Sequence, residues 1–265
     1  MLCYIQRIQS QKSYDATSQK GIHLNFSFIK HTCAVVNSNE VWLCSSETSA
    51  KSCVSINVKE ETTTPRPSLK SPHIHGNMVS INDTLIIIGG RHPITDNDSK
   101  FTDQVEFCDQ KCISGNGNYT NPYHDWKTLP SLPKKVYSGQ VAVNTKSKRI
   151  YHFGGHVNTW VTAWESTTSS FTKAVYALEF EPHKWQPWVE VGQMQGARFQ
   201  GQVVFDIRSE VFWLVGGTDG HVGGSFDGQL GPGIEKWSED TKTGEVIASD
   251  ESFHRRQFSL ILMEN

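Results

Sequence analysis

The chain has very little net charge and no long apolar run, and both absences limit what it can be. It holds 25 Lys and Arg residues against 27 Asp and Glu residues in a total of 265, for a formal net charge of −2. This composition lacks the basic excess that is typical of nucleic-acid binding. No apolar run approaches the ~20 residues of a membrane-spanning helix, and Gln and Arg interrupt residues 1–8 before a secretory apolar segment could form. We therefore expect a soluble globular protein without a nucleic-acid partner, a membrane span or a recognisable targeting signal.

Sustained 3.6-residue periodicity is also missing, and this argues against an array of helix pairs. What the sequence has instead are runs of β-favouring residues that stop at two glycines: Gly89-Gly90, Gly154-Gly155 and Gly216-Gly217. Each run follows a first apolar strand and a short polar turn, so the repeated unit contains a β-hairpin. In a weaker copy nearer the N-terminus, Ser45-Ser46 stands where the glycines would be. The repetition predicts an all-β array.

Each repeat has room for four antiparallel strands, and the repeats divide most of the chain. Residues 1–30 look like the tail of a preceding unit. The predicted four-stranded units lie near 31–67, 72–133, 134–195 and 196–253, with the start of another at 254–265.

These features resemble the kelch family of β-propellers, in which an apolar strand ends in Gly-Gly, the third strand carries an aromatic residue and the fourth a Trp. The three glycine pairs match the first feature, Tyr176 the second, and Trp126 and Trp185 the third. The resemblance implies a β-propeller of four-stranded blades in which the glycines are structural. Three departures are the Ser45-Ser46 pair, the absence of a fourth-strand Trp from the first repeat, and Trp237, which falls too early in its repeat for a fourth strand.

The resemblance implies a non-enzymatic protein-protein interaction module. The alternatives are a kelch-type enzyme similar to galactose oxidase, and a secreted receptor ectodomain. Copper-radical chemistry of the galactose oxidase kind needs two Tyr, two His and a cross-linked Cys around one metal, and these do not align in this sequence. We therefore predict no enzymatic activity, no cofactor and no metal site.

Two further motifs could in principle bind a phosphate or a metal ion, but their sequence context favours a role without a ligand. The glycine-rich run at residues 216–224 lacks the Gly-Lys-Ser/Thr ending of a phosphate loop, and no helix follows it. His73 and His75 share one side of a strand, which is a spacing that metals use, but no third ligand is in register. We expect a flexible loop in the first case and a solvated pair in the second.

The six cysteines leave the compartment open. Cys108 and Cys112 could form a small disulfide-closed loop or remain free, and Cys33, Cys44 and Cys53 fall on successive strands that a disulfide could join. Four Asn-x-Ser/Thr sequences, at Asn25, Asn82, Asn97 and Asn118, would carry glycans only in a secreted protein. Cytoplasmic and secreted locations therefore both remain possible.

A partner is expected on one face of the propeller. In antiparallel blades, the loops after strands two and four emerge on the same side, and here the loops after strand two are long. Basic residues on these loops favour an acidic peptide or loop as the partner, with aromatic residues as apolar anchors. The predicted partner-binding residues are Arg91, His92, Lys134, Lys135, His156, Trp160, Trp164, Arg198, His221 and Arg255, with Arg256 beside them.

Overall fold

The computed structural model of the chain describes residues 32–37, 39–93, 101–114, 125–158, 169–181, 184–217 and 233–248. These residues form nineteen β-strands and a single-turn helix, α1 (Gln110–Ile113), so the all-β prediction is confirmed. In this part of the chain no helix has the length and apolar character needed to cross a bilayer.

Most strands belong to four antiparallel sheets of four strands each, in which sequence order is also spatial order. Sheet I contains β1 (Thr32–Asn37), β2 (Glu40–Cys44), β3 (Cys53–Asn57) and β4 (Thr62–Arg66). Sheet II contains β5 (Asn77–Ile81), β6 (Thr84–Ile88), β7 (Val105–Cys108) and β8 (Lys127–Leu129). Sheet III contains β10 (Gln140–Asn144), β11 (Arg149–Phe153), β14 (Ala174–Glu179) and β15 (Val189–Gln193). Sheet IV contains β16 (Gln202–Asp206), β17 (Val211–Val215), β18 (Ile234–Ser238) and β19 (Gly244–Ala248). A small sheet in the order β13-β12-β9 joins β9 (Val136–Tyr137), β12 (His156–Asn158) and β13 (Ser169–Phe171).

Consecutive sheets pack face to face, and the middle sheets bury both of their faces. In β6, Leu85 and Ile87 belong to the apolar cluster shared with sheet I, whereas Ile86 and Ile88 belong to the cluster shared with sheet III. All four are fully buried. Successive side chains of a strand point to opposite faces, so a continuous apolar run is what a strand between two packed sheets requires. A third cluster joins sheets III and IV.

The sheets approach one another through their first strands, because β5 contacts β1 and β10, and β10 also contacts β16. The residue two positions before each of the last three first strands has a left-handed backbone, with φ of 56° at His75, 52° at Ser138 and 59° at Gln200. The amide of Ser138 donates to the His75 carbonyl at 3.0 Å, and the amide of Gln200 donates to the Ser138 carbonyl at 3.1 Å. Backbone hydrogen bonds therefore connect the equivalent residues of three successive sheets, each to the next.

The glycine pairs lie where one sheet meets the next. Gly89 has φ of 60°, and a Cβ atom there would lie 2.6 Å from the carbonyl oxygen of Val136, in the chain segment leading to sheet III. Gly154 has the same φ and would bring a Cβ within 2.8 Å of the Arg198 carbonyl, in the segment leading to sheet IV. Ser45 adopts the equivalent left-handed turn with φ of 55°. Its hydroxyl accepts a hydrogen bond from the His73 amide at 2.7 Å, a contact across sheets that glycine could not make.

Buried acid side chains anchor the connections between sheets. Glu106 of β7 accepts hydrogen bonds from the backbone amides of Lys70 and Ser71 at 2.8 and 2.7 Å, and His73 lies 3.3 Å away. Burial acts to raise the pKa of Glu106, but the hydrogen bonds from His73 and the two amides hold it below its ordinary value. His73 is fully buried, so the prediction that it belongs to a solvated histidine pair is wrong.

Sheet IV repeats this anchor with an arginine in place of the histidine. Glu235 of β18 accepts from the Gln195 amide at 2.7 Å and from the Arg198 guanidinium at 3.3 Å. Arg198 also donates to the carbonyl oxygens of Gly216 and Gly233, at 2.6 and 3.1 Å. Both charged side chains are fully buried. The pair therefore fixes the chain segment that enters sheet IV.

Two tryptophans link the outer parts of the sheets. The indole N–H of Trp126, which precedes β8, donates to the Pro67 carbonyl beyond β4 at 3.0 Å. That of Trp188, which precedes β15, donates to the Pro130 carbonyl beyond β8, also at 3.0 Å. Trp188 rather than Trp185 is thus the equivalent of Trp126, and the match that we drew from sequence was displaced by three residues. Trp185 instead packs its ring on Phe107 and Phe180.

The Cys108–Cys112 pair is bonded, and in the group of Cys33, Cys44 and Cys53 the cross-strand disulfide joins Cys44 to Cys53. Cys44 and Cys53 face each other across β2 and β3 and form a disulfide, and Cys108 and Cys112 form another that closes the loop containing α1. Within the described residues no cysteine is free. The side chain of Cys33 lies outside the described part of the structure.

A buried histidine should make the protein sensitive to mild acid. Burial lowers the pKa of His152 to about 4 from an ordinary value of 6.5, so the unfolded chain takes up this proton at a higher pH than the folded chain does. Stability should therefore fall as the pH drops from 6.5 towards 4, by about 2 kcal/mol at pH 5 for this group. We expect the urea midpoint of His152→Leu to decrease less between pH 7 and pH 5 than the urea midpoint of the wild type does. Equal losses in the two proteins would contradict this assignment.

Candidate interaction face

The connections after strands two and four meet on one side of the sheets. Strand β9, in the connection from sheet II to sheet III, pairs with β12, which begins the loop after the second strand of sheet III. In sheet II, Ile74 and Phe101 both form β-bridges with Arg91. Residues from both kinds of connection are therefore brought together, as the antiparallel topology requires.

A cluster of aromatic rings covers this meeting point, and we call it the axial cluster. Its members are His75, Phe101, Tyr137, His156, Phe171 and Phe199. Ring centroids lie 4.4 Å apart for Phe101 and Tyr137 and 5.1 Å apart for Tyr137 and His156. The rings come from the connections of sheets II, III and IV, and all except that of Phe101 belong to half-buried residues. The cluster is thus both an internal contact and a partly accessible apolar surface.

His156 is the polar centre of the axial cluster. Its ring stacks on that of Phe171 with centroids 4.9 Å apart. Neither ring nitrogen has a hydrogen-bond partner among the described residues, and burial lowers its pKa to about 4. At neutral pH the imidazole is therefore uncharged, with one nitrogen able to donate and the other able to accept a hydrogen bond.

An ion pair borders the axial cluster on the side of sheet I. Arg91 donates to Glu47 at 2.5 Å and to the carbonyl oxygen of His92 at 3.3 Å. Glu47 also lies 3.8 Å from the ring of His75, measured from its Oε1 to Nε2. Burial raises the pKa of Tyr137, and the nearby charge of Arg91 opposes the increase. The border is therefore polar, and the charge of Arg91 is largely compensated by that of Glu47.

The predicted binding residues differ in how accessible they are to a partner. Lys134 and Lys135 are exposed at the entrance to β9, and His92 is half-buried next to Arg91. Arg91 is itself only 6% exposed and is paired with Glu47. Trp160, Trp164, His221, Arg255 and Arg256 lie outside the described residues.

The placement of Arg198 on the interaction face is corrected. Its side chain is fully buried, and its guanidinium pairs with Glu235 and donates hydrogen bonds to the carbonyl oxygens of Gly216 and Gly233. A partner cannot contact it in this fold. Among the described residues, the basic side chains that remain on the predicted face are therefore the exposed Lys134 and Lys135 and the paired Arg91.

Sequence reasoning missed the phenylalanines of the axial cluster, although a repeated signal was present. Phe101-Thr102 and Phe171-Thr172 each stand shortly before a third strand, with Phe101 four residues before the start of β7 and Phe171 three residues before the start of β14. In both, the threonine amide donates to the carbonyl oxygen of the second glycine of the pair, at 2.9 and 3.0 Å. The Phe-Thr dipeptide thus closes the loop after strand two and orients the ring towards the cluster.

Comparison with known proteins shows the fold but not the activity. No protein-family model matches the chain, and no curated protein matches it. The chain is similar to the solved structure of YjhT, with a TM-score of 0.62 and 13% sequence identity over 86% of this chain and 67% of that one. At this identity the similarity concerns the fold alone.

The described residues offer no catalytic metal centre. None of their His, Cys, Asp and Glu side chains form a group of three or more that could hold a metal ion. The buried carboxylates Glu106 and Glu235 are occupied by backbone amides and by His73 and Arg198. What the face does present is an aromatic surface with polar groups at its border.

Proposed function

We propose that sheets I to IV are blades of a kelch-like β-propeller and that the chain is a non-enzymatic module that binds a partner protein through the axial cluster. The first strands contact one another in chain order, and the left-handed residues before them are hydrogen-bonded from sheet to sheet. Both features are expected of blades arranged around a common axis. Around such an axis, the connections after strands two and four converge on one face.

The observation that carries the functional proposal is the partly accessible axial cluster. Tyr137, His156 and Phe199 come from different connections, yet their centroids lie within 5.1 to 6.1 Å of one another. Aromatic side chains held rigidly in this way dominate the energetics of many protein interfaces. Both ring nitrogens of His156 are buried, so this residue contributes aromatic surface rather than a hydrogen bond to the partner.

The proposed partner is an extended segment with an apolar side chain close to acidic residues. The apolar side chain would pack on the axial cluster, and the carboxylates would lie against the exposed Lys134 and Lys135. Charges at such a rim chiefly affect the rate of association and its salt dependence, whereas the aromatic contacts determine how long the complex lasts.

We expect the protein to select such segments from a displayed library of random peptides. Tyr137→Ser should lower the affinity for the selected peptides by roughly 30-fold, because the loss of a central aromatic contact costs about 2 kcal/mol of binding free energy. Lys134→Glu/Lys135→Glu should lower the affinity for these peptides by roughly tenfold and reduce the salt dependence of binding.

The matched control is Lys59→Glu/Lys148→Glu, which reverses two exposed charges in turns at the opposite ends of the strands. It should leave the affinity unchanged, and urea midpoints would verify that each variant is folded. Binding that is lost in the control but retained in the Tyr137 and Lys134/Lys135 variants would show that another surface binds the partner.

A further inference from the structure

Asn82 lies at an exposed hairpin tip that has the sequence of a glycan acceptor. The Asn82-Asp83-Thr84 sequence connects β5 to β6, and both Asn82 and Asp83 are exposed. Their φ angles are 47° and 54°, so they form the left-handed two-residue turn that Asn and Asp favour in hairpins. A large substituent on the Asn82 amide would extend into solvent without disturbing the sheet.

The hairpin tip is far from the axial cluster. It lies at one end of β6, and Gly89-Gly90 follow the other end, about 16 Å away for five strand residues. A glycan on Asn82 would therefore occupy the side of sheet II away from the proposed interaction face, and partner binding would not exclude it.

The disulfides provide an independent indication of the compartment. Cys44, Cys53, Cys108 and Cys112 belong to a single apolar cluster between sheets I and II, and each is at most 2% exposed. Disulfides that are buried in this way are structural. Such bonds form and persist in oxidising compartments such as the lumen of the secretory pathway, and they are rare in the reducing cytosol. N-linked glycans occur on secreted proteins, which mature through the same pathway.

We propose that the chain matures in the secretory pathway and that Asn82 carries an N-linked oligosaccharide. In the transfer, the carboxamide nitrogen of Asn82 forms a bond to C1 of the first sugar of a lipid pyrophosphate-linked oligosaccharide. The bond between C1 and the pyrophosphate oxygen breaks, the lipid pyrophosphate leaves, and one amide proton is released. No electrons are exchanged with an oxidant or reductant.

The hairpin also indicates when the transfer takes place. In the folded chain Thr84 is only 9% exposed, and its hydroxyl lies 3.4 Å from the Asn82 carbonyl. The hydroxyl that the acceptor sequence requires is thus accessible only before β5 and β6 pair. The glycan is added to the unfolded chain, and the turn then holds it at the surface.

The first test uses protein purified from the organism that makes it, with thiols blocked by an alkylating agent during lysis. Release of N-glycans enzymatically in ¹⁸O-labelled water should convert Asn82 to labelled Asp in the peptide mass spectrum. The same digest should contain the Cys44–Cys53 and Cys108–Cys112 linkages, with no alkylated form of these four residues. Recovery of the Asn82 peptide as unmodified Asn, or of the four cysteines in alkylated form, would overturn the proposal.

The second test compares variants of the full chain passed through the secretory pathway of cultured eukaryotic cells. Asn82→Asp and Thr84→Val should each lose one glycan, whereas the matched Thr84→Ser variant should keep it, because serine also completes the acceptor sequence. Asp and Val fit the turn and the strand start, and urea midpoints would verify folding. Equal glycan occupancy in all four proteins would contradict the assignment to Asn82.

Discussion

Replacement of Arg198 by methionine should lower the free energy of unfolding by about 3–5 kcal/mol, the usual cost of leaving one member of a buried ion pair unpaired. Methionine nearly fills the space of the arginine stem but cannot neutralise Glu235, which is fully buried. It also removes the side-chain donor of the Gly216 carbonyl oxygen, whereas the Gly233 carbonyl oxygen still accepts from the Gly216 amide at 3.0 Å. A loss of this size is a large fraction of the stability of an ordinary domain.

The control for this prediction is Arg149→Met, which breaks ion pairs at the surface. Arg149 is 34% exposed and pairs with Glu179 and Glu239, which are also solvent-accessible. Such pairs contribute about 0–1 kcal/mol, so the urea midpoint should change little. Similar losses in the Arg198 and Arg149 variants would show that the pair with Glu235 does not anchor sheet IV as described.

Gly89→Ala should cost more than about 2 kcal/mol, since it combines two penalties. Alanine at a left-handed φ is strained by about 1–2 kcal/mol on its own. The new Cβ would also lie 2.6 Å from the carbonyl oxygen of Val136, which accepts the Gly90 amide across the boundary between sheets II and III. To relieve this contact, the two sheets would have to move apart.

The control here is Lys148→Ala, at a residue with φ of 53° in an exposed turn. It already carries a Cβ and faces solvent, so we expect a change within about 0.5 kcal/mol. Equilibrium urea unfolding would measure both variants. A Gly89 variant as stable as the Lys148 variant would mean that the sheets are not in close contact at the glycine pair.

The strands could be predicted from sequence because their signals are local. Leu85 to Ile88 followed by Gly89-Gly90 identifies a buried strand and its end, and the in-phase copies give the unit of four strands. The position of the repeat Trp was predicted less well. Trp185 and Trp188 both suit a residue before a fourth strand, and only the contact of Trp188 with Pro130 distinguishes them.

The candidate site could be predicted less well because it depends on partners from other sheets. In the sequence, Arg198 is an arginine in a connection, where charged residues are usually exposed. Glu235, which makes its burial possible, is far away in the chain and belongs to a strand with no pattern that marks it as a partner. Tyr137 and Phe199 are likewise separate in sequence and meet only because their connections converge.

The most direct test of the account is small-angle X-ray scattering of the monomeric, deglycosylated chain. We propose that the four sheets surround one axis, so that the connections that meet on one side of sheets II to IV belong to one face of a propeller. A compact domain of 265 residues should have a radius of gyration of about 18 Å and a distance distribution with a single symmetric peak. A distinctly larger radius with an elongated distribution, as expected for sheets stacked in an open row, would contradict the proposed propeller and the proposed interaction face that depends on it.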